Sequence, residues 1–127
     1  MIKLIVAIKR KRGMSAEAFR DYYETRHVPF CEKLLPPMAI YRRNYVVTDD
    51  PLVGGVGEDR AMDEDDYDVF TEAIFQTRAE AQTFLDGLFR PEILTRIQAD
   101  EANFMEPGTV KFYLVDSRES ARKLSFG

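Results

Sequence analysis

The sequence is poor in the residues that build covalent cross-links and metal sites. Cys31 is the only cysteine and His27 the only histidine in 127 residues, so an intrachain disulfide is excluded. Two such side chains are too few for a structural zinc site, which takes four ligands. The glycines in 54–57 lack the lysine of a phosphate-binding loop, and the acidic run 63–66 lacks the spacing of a calcium loop.

Long apolar runs and dense positive charge are also missing. No stretch is long enough to span a bilayer, and residues 1–8 precede a basic cluster, whereas in a secretory signal the basic residues come first. The net charge is -4, so nucleic acid is not an expected partner. No nucleotide-binding fingerprint supports NAD or flavin. We expect a cytoplasmic protein that binds neither nucleic acid nor membrane.

The pattern that is present predicts one α+β domain. Alternation of apolar and polar residues predicts four strands, and helical spacing behind caps at Ser15 and Thr77 predicts two main helices. Pro91 opens a further short helix. The predicted strands are 2–9, 38–48, 67–75 and 109–116. The order β-α-β-β-α-β predicts a ferredoxin-like domain over 1–116 with an antiparallel sheet, a flexible loop at 49–66 and a tail at 117–127.

One face of this sheet has no helix to cover it. Several strands nevertheless carry apolar residues on both faces, and those opposite the core set are Ile5, Ala7, Tyr113 and Val115. We therefore expect the open face to pack on a second copy, which would make a homodimer with the form of a dimeric α+β barrel.

His27 is the first candidate for chemistry. It follows Phe19 and Tyr23 at helical spacing, just before Pro29, which ends or kinks the helix. Beside an apolar pocket the pKa of a histidine falls, which leaves a neutral proton acceptor. The alternative is a cap at the helix C-terminus, where the helix dipole favours histidine. The spacing is compatible with both interpretations.

Aromatic and basic side chains are candidates for substrate binding. Tyr22, Tyr23 and Tyr41 combine apolar area with a hydroxyl, which suits an aromatic substrate. Arg43 can bind a carboxylate or phenolate. Each has a structural alternative, as a core or interface residue for the tyrosines and as an ion-pair partner for the arginine.

Glu72 needs a reason for its place in mid-strand, where acidic residues are depleted. It can orient His27, act as a second acid or base, or pair with an arginine at the dimer interface. Asp100 is a weaker candidate. Cys31 lies four residues after His27, but Pro29 argues against their meeting, so a buried structural cysteine is expected.

Three segments, in this order, resemble the EthD domain family. The first is the strand and aromatic helix of residues 2–29, which end in Arg26-His27-Val28-Pro29. The second is the strand Tyr67-Asp68-Val69-Phe70-Thr71-Glu72-Ala73-Ile74-Phe75. The third is Asp100-Glu101-Ala102-Asn103-Phe104, ahead of the last strand. The resemblance covers most of the chain except residues 49–66 and the tail.

The resemblance implies a dimeric α+β barrel and small-molecule chemistry of aromatic or ether catabolism, or of polyketide-type metabolism. We expect a cofactor-free enzyme of oxidoreductase or lyase type, acting on an apolar, oxygen-bearing substrate. His27, aided by Glu72, would move a proton in dehydration, enolisation, cyclisation or cofactor-free oxygenation. Two alternatives stay open: a haem-binding barrel with His27 as axial ligand, and a non-catalytic accessory subunit of an oxidoreductase system.

Overall fold

A computed structural model describes residues 1–48, 50–54 and 66–121. Four antiparallel strands form one sheet in the order β2-β3-β1-β4. The strands are β1 (Ile2–Ile8), β2 (Ile40–Tyr45), β3 (Val69–Phe75) and β4 (Lys111–Val115). The predicted ferredoxin-like α+β fold is confirmed. Strand β2, whose faces are both mixed in sequence, lies at an edge of the sheet, where one side needs no partner strand.

The helices connect these strands on one face of the sheet. Helix α1 (Ala16–Tyr22), a π-helical segment (Tyr23–His27) and α2 (Val28–Leu34) follow β1, and α4 (Arg78–Leu88) and α5 (Pro91–Glu101) follow β3. Ser15 and Thr77 cap α1 and α4, as their positions predict. No helix within the described ranges is long and apolar enough to cross a membrane.

The predicted loop 49–66 lies largely outside the described residues. Within it, Pro51–Gly54 forms a short helix, α3, and positions 49 and 55–65, with most of the glycine-rich and acidic residues, lie outside the described residues. Of the predicted tail, residues 117–121 are described and form no helix or strand.

Two apolar clusters fill the space between the helices and the sheet. One includes Leu4, Cys31 and Phe75, and the other includes Ile8, Phe19 and Phe104. The first lies under α2, α4 and α5, and the second lies under α1 and the π-helical segment. The continuous helical stretch from α1 through the π-helical segment to α2 contributes to both clusters. His27, which is 4% exposed, lies in the middle of this stretch and therefore between the two clusters.

The opposite face of the sheet carries charged as well as apolar groups. Glu72 accepts hydrogen bonds there from Asn44 and Arg42, and its other oxygen lies 3.0 Å from Lys3 Nζ. Phe70 and Tyr113 are exposed on the same face. The second copy expected against this face stays a prediction.

Candidate active site

A π-helical turn positions His27. The Val28 N–H donates to the Tyr23 carbonyl, five residues earlier, instead of to the residue four back. Pro29 follows in the first turn of α2. A proline inside an α-helix clashes with the preceding turn, and the wider π turn lies where that clash would occur. The helical path therefore continues past Pro29 to Leu34, and Pro29 does not end it. Single π turns occur frequently at functional sites.

The His27 ring is held at both nitrogens. Its Nδ1 lies 2.7 Å from Asp100 Oδ2, and its Nε2 lies 3.3 Å from Cys31 Sγ. Phe104 packs against the ring, with centroids 4.9 Å apart. The second Asp100 oxygen accepts a hydrogen bond of 2.7 Å from the Tyr22 hydroxyl. A carboxylate, an imidazole and a thiol thus form a chain from the α5 terminus to α2.

This chain selects one form of the imidazole. A carboxylate accepts hydrogen bonds, so Nδ1–H donates to Asp100 and Nε2 carries the free electron pair. Burial lowers the pKa of His27, and the hydrogen bond and charge of Asp100 oppose that shift without cancelling it. Burial raises the pKa of Cys31 to about 12, so the thiol keeps its proton and donates to Nε2. The contacts therefore favour a neutral imidazole that has its free electron pair on Nε2.

A cavity of about 80 Å³ lies beside His27, between helices and sheet. Cys31, Tyr23 and Tyr41 line it together with apolar residues of β1, α4 and α5. Asp100 is not among the lining residues. The ring edge with Nε2 and Cys31 therefore faces the cavity, and the ring edge with Nδ1 faces away from it.

Hydroxyl groups form the polar part of the cavity wall. The Tyr23 and Thr71 hydroxyls share a hydrogen bond of 2.7 Å, and those of Tyr23 and Tyr41 lie 3.3 Å apart. Burial raises the pKa of Tyr23 to about 12, so this hydroxyl stays protonated and can donate to a substrate oxygen.

Two of the predicted binding residues lie outside the cavity lining. Tyr22 packs on Phe104 and donates to Asp100, so it supports the carboxylate that holds His27. Arg43 donates to both oxygens of Glu24, at 2.7 and 2.9 Å. Arg43 is thus an ion-pair partner of Glu24, which is the structural alternative to its predicted role in substrate binding.

Glu72 does not meet His27, and the prediction that it orients the histidine is wrong. Side chains alternate between the faces of a strand. Thr71 and Ala73 face the helices and line the cavity, so Glu72 faces the other side. Of the three roles considered for Glu72, the observed contacts match pairing with an arginine, and that arginine is Arg42 of its own chain.

Sequence reasoning undervalued three residues of the site. Asp100 holds His27, Cys31 contacts it, and Glu101 lines the same cavity. The Asp100-Glu101 pair was visible in the sequence, but nothing in its spacing showed that α5 would end beside His27. Cys31 was set aside because Pro29 was expected to interrupt the helix.

The site geometry does not favour a haem. Both His27 nitrogens have partners and the ring is buried, and a cavity of about 80 Å³ is far below the roughly 300–1,000 Å³ of ordinary ligand pockets. Within residues 1–48, 50–54 and 66–121, no group of three or more histidine, cysteine or acidic side chains is arranged to hold a metal ion.

Residues 11–108 match the family model for the EthD domain, which is more than half of the chain. The chain belongs to the EthD domain family. No curated protein sequence matches the chain significantly. The EthD match includes the π-helical segment, Asp100 and Glu101, so the polar side chains of the site lie within the matched residues.

Solved structures share the fold at low identity. An EthD family protein from Bacillus halodurans is 14% identical, with a TM-score of 0.58, over 93% of this chain and 100% of its own. A protein from Arabidopsis thaliana is 13% identical, with a TM-score of 0.58, over 96% and 100%. A hydroxynitrile lyase from Passiflora edulis is 20% identical, with a TM-score of 0.55, over 94% and 96%. Since the identities are this low, the comparison shows that this chain shares its fold with each of the three proteins.

The environment of His27 predicts its titration. We expect an NMR titration of the single imidazole to give a pKa below 6.5, because burial disfavours the charged ring. In Asp100→Asn the pKa should fall further, since the carboxylate charge that favours imidazolium is gone. Nitrogen shifts should show the proton on Nδ1 in the wild type. A pKa at or above 6.5 would contradict the buried, neutral base.

The lowered pKa of His27 also makes the stability of the fold depend on pH. Above pH 6.5 the ring is neutral in the folded and the unfolded chain, so His27 adds no pH dependence there. As the pH falls below 6.5, the unfolded chain takes up the proton first, and stability is lost until the folded-state pKa is passed.

Proposed function

We propose that this EthD domain protein is a small-molecule enzyme in which His27 is the general base. One observation carries the proposal: Asp100 accepts a hydrogen bond of 2.7 Å from Nδ1–H, so the unprotonated Nε2 faces a mostly apolar cavity. A base positioned in this way abstracts a proton from a substrate carbon or hydroxyl. Family membership and the shared fold of a hydroxynitrile lyase support a small-molecule enzyme.

The substrate we propose is apolar and carries a carbonyl oxygen. Apolar side chains dominate the walls of the cavity and of the adjoining groove of about 470 Å³ between α5 and β4. Together the two spaces suit a hydrocarbon or aromatic body that extends from the groove to His27. The Tyr23 and Tyr41 hydroxyls can donate to the carbonyl oxygen as negative charge develops on it. Proton abstraction beside a carbonyl gives an enolate, the shared first step of enolisation, cyclisation and dehydration. In the complex the substrate replaces the Cys31 thiol as the donor to Nε2.

Deuterium exchange tests the proposal without knowledge of the natural reaction. The test compound is 2-tetralone, an apolar aromatic ketone with acidic C–H groups, in D₂O, with loss of the proton signal followed by NMR. We expect saturable exchange that rises with pH through a pKa below 6.5 and then levels off. Exchange no faster than with the same concentration of free imidazole would overturn the proposal and favour an accessory subunit.

A further inference from the structure

Glu101, the last residue of α5, stands between two spaces. It lines the cavity beside His27, and it also lines a surface groove of about 470 Å³ between α5 and β4. Five residues line both spaces: Leu88, Ile97, Glu101, Met105 and Phe112. The groove has the volume of an ordinary ligand pocket, which the inner cavity lacks. A substrate that reaches His27 from the groove passes between these shared residues, and Glu101 is the only one of the five with a carboxyl group.

The Glu101 carboxyl is placed where it does not help the fold. It ends a helix, where the dipole disfavours negative charge. The residue directly before it is Asp100, whose negative charge also disfavours ionisation of Glu101. In the described part of the chain the Glu101 oxygens have no hydrogen-bond partner. No buried side-chain oxygen of that part lacks a partner, so both Glu101 oxygens must reach open space.

The other shifted carboxyls behave in the opposite way. Glu24 and Glu72 are held by donors that lower the pKa of each carboxyl. Burial and the charge of Asp100 raise the pKa of Glu101 to about 7. The main chain nevertheless holds Glu101 in place, because its carbonyl accepts the Phe104 and Met105 N–H groups at 3.1 and 2.8 Å. A carboxyl on a fixed main chain that retains its proton near neutral pH can act as an acid.

We propose that Glu101 is a second catalytic residue, the acid that protonates a leaving hydroxyl while His27 takes a proton from the neighbouring carbon. The inference rests on the proposed function and extends it to the dehydration of a β-hydroxy ketone, which would lie partly in the cavity and partly in the groove. The C–H bond breaks and its proton moves to Nε2. The C–O bond breaks, the hydroxyl leaves as water with the Glu101 proton, and a C=C bond forms. The imidazolium then returns its proton to the carboxylate through that water.

The test compound is 4-hydroxy-4-phenyl-2-butanone, and two rates are measured on it. Deuterium exchange at the carbon beside the carbonyl reports His27 alone, and the absorbance of the conjugated enone reports loss of water. In Glu101→Gln we expect dehydration to fall by roughly 10²-fold or more relative to the exchange rate measured on the same variant. Glutamine has the shape and charge of the protonated acid, so the fold is retained. Glu92→Gln, an exposed carboxyl in the first turn of α5, is the matched control and should change neither rate.

The pH profile separates an acid from a structural residue. Wild-type dehydration should fall as the pH rises through about 7, the pKa of Glu101, and exchange should not. A carbon-13 titration of the Glu101 carboxyl in the wild type checks that pKa without a variant. Exchange with no dehydration, or dehydration unchanged in Glu101→Gln, would overturn the acid role and leave the base intact. Absence of both rates in the wild type would overturn the general base as well.

Discussion

Replacement of His27 by glutamine should slow proton abstraction by roughly 10²–10⁴-fold, the usual contribution of a positioned general base. Glutamine keeps a donor for Asp100, so the buried carboxylate retains a partner. It has no basic nitrogen, so nothing takes the substrate proton. The rate of 2-tetralone exchange at pH 8, where His27 of the wild type is neutral, is the measurement. Circular dichroism should show an unchanged fold.

Two further variants sharpen this result. Glu72→Gln changes a carboxyl on the opposite face of the sheet, so exchange should continue at the wild-type rate. His27→Ala opens space beside Asp100, and added imidazole should restore part of the rate by entering it. If Glu72→Gln lost as much activity as His27→Gln, the site would have to include the open face, and the base assigned to the cavity would be wrong.

Phe104→Ala should lower the free energy of unfolding by about 3–5 kcal/mol, the range for a large aromatic removed from a core. Phe104 is 0% exposed, and its ring lies 5.0 to 5.6 Å from the rings of Phe19, Tyr22 and Tyr23. Because it also packs on His27, its loss leaves a void beside the imidazole ring. The total free energy of unfolding of such a domain is only about 5–15 kcal/mol, so this loss would be a large part of it.

Urea unfolding followed by circular dichroism measures this loss. Phe89→Ala is the matched control, because Phe89 is 59% exposed and the same change there removes little buried area. The variants are compared at one protein concentration, since association of copies would stabilise the folded chain. Equal losses from Phe104→Ala and Phe89→Ala would contradict the place of Phe104 at the centre of the second cluster.

The fold was predictable because local patterns determine it. Alternation in residues 2–8 and 69–75, caps at Ser15 and Thr77, and the order of elements are visible in the chain itself. The strands proved shorter than predicted: β2 begins at Ile40 and ends at Tyr45. Beyond these bounds the pairing is reduced to isolated backbone hydrogen bonds, from the Ala39 N–H to the Ile74 carbonyl and from the Val46 N–H to the Asp68 carbonyl.

The site was predictable only in part. His27 and Tyr23 are identified by residue type and helical spacing, and Tyr41 by residue type on a predicted strand. Asp100 lies 73 positions from His27, and only the packing of α5 against the first helix brings them together. Glu72 was misplaced because a strand position shows which residues share a face and does not show which face the helices cover.

The π turn has a consequence for how the first helix can change. A π turn has one more residue between its hydrogen-bonded groups than an α-turn has, so the loss of one residue from Glu24, Thr25 or Arg26 would let the segment close into a regular α-helix. The half with Phe19 and the half with Cys31 would then keep their relative orientation, but the ring of Pro29 would meet an ordinary α-turn, with which it clashes. The extra residue therefore lets the chain keep a proline inside a continuous helix.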